Sequence, residues 1–278
     1  MHAPTDLIIH AQDGYALAAR HFPATGRAKG AVQINSGTGI PQRFYRAYAT
    51  HLAARGYEVF TYDYRGIGAS RNGPLKQLAA TNLDWGRLDM SAVFDHLLTT
   101  FPDLPKTVIG HSMGGQLIGT MTNAAAIDRV VIIAAGTGYW RDMPAGLTKY
   151  LMPFLWHVYM PLTMLLCGYA NARKIRQGEN LPKGVGRQWR KWCLSPTYWQ
   201  NDIEAGAFSR ITAPVAAFTF SDDAIISELA TDKLLAHYSA ASVAKRSVRP
   251  REFGLSKIGH FGFFSRKSAA LWPEVQLA

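Results

Sequence analysis

Three side chains, far apart in the chain, carry the chemistry this sequence offers. Ser112 stands in Gly110-His111-Ser112-Met113-Gly114, at the end of the β-branched run Thr107-Val108-Ile109 and before helix-forming sequence. A serine so placed sits on a sharp strand-to-helix turn, in a strained backbone conformation that thrusts its hydroxyl clear of the sheet. Gly110 and Gly114 are the small neighbours such a turn requires. A hydroxyl becomes a useful nucleophile only when a base within hydrogen-bond reach takes its proton, and an imidazole titrates close enough to neutrality to do so. His260, in Gly259-His260-Phe261-Gly262, is the candidate base. A buried carboxylate then fixes the imidazole tautomer and stabilises the imidazolium. It is assigned to Asp223, with its neighbour Asp222 as the alternative. Backbone N–H donors for an oxyanion come from Met113 and from Thr38, in the turn Ser36-Gly37-Thr38-Gly39.

The elements around these residues alternate between strand and helix. Leu7 to Ala11 and Tyr15 to Phe22, separated by Gln12-Asp13-Gly14, read as an antiparallel pair. Further strands are expected at Gly30–Asn35, Tyr57–Tyr62, Lys106–Gly110, Arg129–Ala135, Ala213–Phe220 and Arg246–Pro250. Apolar residues at helical spacing predict helices from Phe44 to Arg55, Asn82 to Phe101, Met113 to Ala126 and Ile225 to Tyr238, with a last helix after Phe264. Such alternation predicts an α/β sheet. Asp223 follows a strand end, so it lies on the same carboxyl edge that presents Ser112.

The rhythm breaks between residues 136 and 213. Proline-punctuated, aromatic helical pieces replace strand-sized runs there, which reads as an inserted helical cap on a core of residues 1–135 and 214–278. Tyr150 to Ala172 contains no Asp, Glu, Lys or Arg and is long enough to cross a bilayer. A crossing would divide the strands of one sheet between two sides of a membrane, so an apolar lid, lightly docked on a membrane at most, is the expectation.

At 278 residues, 48% hydrophobic and 18% charged, the chain is long enough for a large core and has the composition of a soluble globular protein. Its formal charge of +11 is concentrated in part at Arg173, Lys174, Arg176, Lys183, Arg187, Arg190 and Lys191, which face only Glu179. No nucleic-acid motif accompanies this excess, and nucleic acid is not expected as a partner. The glycine-rich turn Asp63-Tyr64-Arg65-Gly66-Ile67-Gly68 lacks the third glycine of a dinucleotide fingerprint and the Gly-Lys of a P-loop. Cys167 and Cys193 match no zinc spacing and are too few for a disulfide framework. Neither a metal nor an organic cofactor is expected. With no basic segment leading into an apolar run at the N-terminus, the cytoplasm is the simplest location.

Asn35-Ser36-Gly37-Thr38-Gly39, Asp63 to Ser70, Gly110 to Gly114, Asp223-Ala224-Ile225-Ile226 and Gly259 to Gly262 together resemble the α/β-hydrolase superfamily over nearly the whole chain. Within it the chain is similar to bacterial serine hydrolases of the esterase and lipase kind. The resemblance implies a mostly parallel eight-stranded sheet with an antiparallel first pair and a cap after the sixth strand. It also favours Asp223 over Asp222, because the superfamily pattern places an acid one residue before an Ile/Val pair. Many relatives carry His-Gly where this chain has Ser36-Gly37. The reading is a serine hydrolase that cleaves a small-molecule carboxylic ester or thioester through an acyl-enzyme. Its alternatives are acyl transfer by the same residues, or a non-catalytic, membrane-peripheral binding protein using the apolar cap.

Overall fold

The computed structural model describes residues 3–175 and 178–277; Arg176 of the basic stretch lies outside them. Among the described residues, ten strands occur in the order β1 Thr5–His10, β2 Ala16–Phe22, β3 Gly30–Asn35, β4 Tyr57–Tyr62, β5 Lys106–His111, β6 Arg129–Ile133, β7 Tyr169–Ala170, β8 Leu181–Pro182, β9 Val215–Phe220 and β10 Val243–Val248. Eight of them form one sheet in the order β1-β2-β4-β3-β5-β6-β9-β10. β1 pairs antiparallel with β2, and β2 with β4. Every other pairing in that sheet is parallel.

Alternation along the central strands explains why helices cover both faces. Val130 and Ile132 enter one buried cluster with Trp85, Phe94 and Leu117, while Val131 and Ile133 enter the other with Tyr48, Leu52 and Phe263. An apolar residue at every position is what a strand buried on both sides requires. The helices that supply these layers are α1 Arg46–Ala54, α2 Asn82–Asp84 continuing through a π-helical turn Trp85–Met90 into α3 Ser91–Thr100, and α4 Met113–Gln116. A capping box at Thr81 and Asp84 starts α2.

Several sequence expectations are corrected. The helix expected from Met113 to Ala126 is broken into α4 and the 3-10 turns Ile118–Thr120 and Ala124–Ala126. Gly114, Gly115 and Gly119 weaken helical propensity here, and the chain passes close to its neighbours: a Cβ on Gly119 would lie 2.4 Å from the Phe208 ring. The last strand runs from Val243 to Val248 and stops before Arg249 and Pro250, where proline opens a 3-10 turn. The helix expected from Ile225 begins only at Glu228, because Ile225 and Ile226 bind the Asp223 carboxylate through their N–H groups. After Phe264 the chain is 3-10 and not α-helical, with Pro273 inside it.

Residues 136–213 connect β6 to β9. They hold α5 Leu147–Phe154, a π-helical turn Leu155–Tyr159, α6 Met160–Leu166 and α7 Lys183–Leu194. β7 and β8 form a two-residue ribbon there, a small exception to the absence of strands expected for this stretch. Trp156, Met160, Met164, Trp192 and Trp199 bury this segment against the core. Among the described residues, no helix is long and apolar enough to cross a membrane. α8 Glu228–Leu235 follows β9, with Ser227 capping its N-terminus through Ala230 N–H at 3.1 Å.

Candidate active site

The carboxyl ends of β3, β5 and β9 and the loop after β10 meet at one place. Ser112 follows β5 with φ 51° and ψ −120°, a conformation that few residues other than glycine adopt. Its N–H donates to Ile133 O at 3.1 Å, which ties the turn to β6. The glycines on either side are dictated by space. A Cβ on Gly110 would lie 2.4 Å from Gly115 Cα, and one on Gly114 would lie 2.4 Å from Asn35 O.

Ser112 Oγ lies 3.0 Å from His260 Nε2, and His260 Nδ1 lies 2.8 Å from Asp223 Oδ2. Both His260 and Asp223 are buried. The other oxygen of Asp223 accepts the N–H groups of Ile225 at 2.7 Å and Ile226 at 3.1 Å, which fixes the carboxylate plane. Asp222 faces elsewhere: its two oxygens accept Ile258 N–H and Gly259 N–H, each at 2.9 Å. The acidic pair thus divides its work between the imidazole and the backbone of the loop that carries it.

Met113 and Thr38 line the same cavity as Ser112 and His260. The loop after β3 passes close to the serine, since a Cβ on Gly37 would sit 3.4 Å from Ser112 Cβ. Gly37 N–H is occupied, donating to Tyr45 OH at 2.8 Å. Among the described residues, neither the Thr38 nor the Met113 N–H has an acceptor.

His111 forms a brace behind the site that the sequence did not reveal. Its Nδ1 lies 2.8 Å from Tyr45 OH and its Nε2 3.0 Å from His260 O. Burial, reinforced by the nearby His260 ring, lowers its pKa to about 3. The neutral ring therefore accepts from the Tyr45 hydroxyl and donates to the His260 carbonyl. One chain of hydrogen bonds joins the loop beside Thr38, through Tyr45 and His111, to the backbone of His260. Tyr45 reads in sequence only as an apolar position at the start of a helix; its partners lie 8 and 66 residues away.

The turn after β4 that resembles a nucleotide loop is structural. Arg65 pairs with buried Asp89 at 2.7 Å and with Asp13 at 2.6 Å, and Asp63 accepts Gln42 N–H at 2.7 Å. Glu179 locks the segment after β7 over this turn. Its N–H donates to Gly39 O, and its side chain accepts Gly68 N–H, both at 2.8 Å.

Gly138, Met143, Met152, Leu155 and Trp156 from the segment between β6 and β9 also line the cavity, with Ile225, Ile226 and Phe261. Among the described residues that line it, none is Asp or Glu.

Fold and site together define an α/β-hydrolase, with an eight-stranded, mostly parallel sheet that presents a serine, a histidine and an acid along one edge. The chain belongs to the serine aminopeptidase S33 family, whose sequence model matches residues 26–248, and it is accordingly a serine hydrolase. It is 28% identical to human monoglyceride lipase over 105 residues, 38% of this chain and only 34% of that protein, so the match spans about a third of the relative's length. Among solved structures, a soluble variant of monoglyceride lipase from Saccharomyces cerevisiae superposes with a TM-score of 0.71 at 16% identity, covering 99% of this chain and 94% of the other. A thioesterase domain from the curacin biosynthetic pathway superposes with a TM-score of 0.56 at 15% identity, covering 98% and 99%. At such identities these structures speak for the fold.

Proposed function

We propose that the protein hydrolyses a carboxylic ester or thioester through an acyl-enzyme on Ser112, with His260 as general base and acid and Asp223 as its orienting carboxylate. The observation that supports this reading is the run of two short hydrogen bonds, 3.0 Å from Ser112 to His260 and 2.8 Å from His260 to Asp223. Ser112 Oγ attacks the carbonyl carbon while His260 Nε2 takes its proton. The N–H groups of Met113 and Thr38 stabilise the oxyanion. The imidazolium then protonates the departing alcohol or thiol, and water, deprotonated by the same imidazole, releases the acid. Residues 136–213 act as the helical cap of a core formed by residues 1–135 and 214–278. The two free cysteines fit a reducing compartment such as the cytoplasm.

The cavity favours an ester over a peptide. An aminopeptidase must hold the charged amino terminus of its substrate, and the described lining offers no carboxylate for it. Apolar side chains from the cap instead suit an acyl chain or a hydrophobic ring. Acyl transfer to an alcohol by the same three residues is the second reading, supported by the same geometry.

Labelling with a fluorophosphonate tests the nucleophile and base: wild type should react, and Ser112→Ala and His260→Ala should not. Rates on p-nitrophenyl esters of increasing acyl length, beside leucine p-nitroanilide, then test the substrate class. Faster cleavage of the anilide than of every ester would overturn the ester reading, and partition of the acyl group to added alcohol would select transfer.

A further inference from the structure

The helical run from α5 through the π-helical turn into α6 is apolar on two sides. Met152, Leu155 and Trp156 face the cavity. On the outer side Leu147, Leu151, Phe154, Val158, Leu162 and Leu165 recur at three- and four-residue spacing, and each is between 48% and 76% exposed. This is one apolar stripe along a surface helix. Beside it, α7 presents Lys183, Arg187 and Arg190 at i, i+4 and i+7, walling a shallow depression with Pro161, Met164 and Leu165. Among the described residues, none of the three cations pairs with a carboxylate; the nearby acids Asp202 and Glu179 pair with Lys191 and Arg43 instead. No Asp or Glu occurs between residues 143 and 178.

We propose that this face docks on an anionic phospholipid bilayer, with the outer stripe of α5 and α6 entering the acyl boundary and Lys183, Arg187 and Arg190 taking headgroup phosphates. An apolar helical face bordered by cations is the pattern that binds an interface carrying negative charge. A second copy of the chain is the poorer occupant, because a symmetric pairing of these faces would bring like-charged rows together. The proposal concerns the outer surface alone and stands whether or not Ser112 is the nucleophile.

Co-sedimentation of the full chain with extruded vesicles tests it, comparing phosphatidylcholine alone with phosphatidylcholine containing about 30% phosphatidylglycerol. Binding should be at least ~10-fold tighter to the anionic vesicles and should weaken as salt is raised. The double variant Leu151→Asp/Leu165→Asp should lose ~10-fold or more on both vesicle types. Lys183→Ala/Arg187→Ala should lose ~5-fold or more on the anionic vesicles only. Unchanged thermal unfolding midpoints of both variants exclude misfolding as the cause. No binding to either vesicle, or binding indifferent to both variants, overturns the proposal. So does a dimer in vesicle-free buffer that Leu165→Asp dissociates, or thermal stabilisation by inorganic phosphate without vesicle binding.

Discussion

Asp222 and Asp223 adjoin in the chain yet hold different parts of one loop: Asp223 Oδ2 lies 2.8 Å from the His260 ring, and Asp222 accepts Ile258 N–H and Gly259 N–H at 2.9 Å. Amide substitution separates the two jobs. In the proposed mechanism Asp223→Asn lets the imidazole adopt the wrong tautomer, and kcat on a p-nitrophenyl ester falls ~10³-fold or more. Asp222→Asn turns one acceptor into a donor facing an N–H; stability drops by ~1–3 kcal/mol and kcat by about 10-fold. The reverse order of kcat losses would move the catalytic acid to Asp222.

Gly114→Ala drives a Cβ to 2.4 Å from Asn35 O, a backbone atom at the carboxyl end of the central strand β3. Urea denaturation should show a loss of ~3 kcal/mol or more. At Gly73, where an added Cβ meets nothing within 4 Å, the same change should stay within ~0.5 kcal/mol.

Two buried tyrosines of α1 and the turn before it make a matched pair. Tyr45 OH accepts from Gly37 and bonds His111, whereas Tyr48 OH has no partner among the described residues. Tyr45→Phe strands a buried N–H and a ring nitrogen and should cost ~2–4 kcal/mol, with kcat reduced about 10-fold as the loop carrying Thr38 loosens. Tyr48→Phe should be neutral or stabilising. Equal effects in denaturation would contradict the brace.

His111 makes stability depend on acidity. Its folded pKa, about 3, lies below the ordinary 6.5, so between those values the unfolded chain binds a proton that the folded one refuses. This contribution is whole above about pH 6.5 and is lost progressively toward about pH 3. Between pH 7 and pH 5 the unfolding free energy should fall by about 2 kcal/mol more in wild type than in His111→Gln. A parallel pair of pH profiles would remove His111 from that role.

Much of this architecture could be read from residue types. β-branched runs that end in glycine or charged turns placed the central strands, because a strand buried on both faces leaves no room for polar punctuation. β10 escapes such a reading for the opposite reason: at the sheet's edge its first five residues are exposed, and Val243-Ala244-Lys245-Arg246-Ser247 shows no apolar pattern. The segment after Ser112 reads as a longer helix, since the packing that shapes it involves Phe208, almost a hundred residues on. Ser112, Asp223 and His260 were visible through their turn chemistry, whereas the work of Asp222, Tyr45 and His111 depends on partners brought together only by the fold. The sequence likewise told that residues 150–172 are uncharged, but not that their apolar side chains divide between cavity and surface.

The order in which the chain supplies Ser112, Asp223 and His260 has a consequence for biosynthesis. The serine is tied to β6 through Ile133 O, but the imidazole stands 148 positions further on, on a loop that Asp222, just beyond β9, holds through Ile258 N–H. In the proposed mechanism, a fragment that stops short of residue 260 therefore carries the serine without its base.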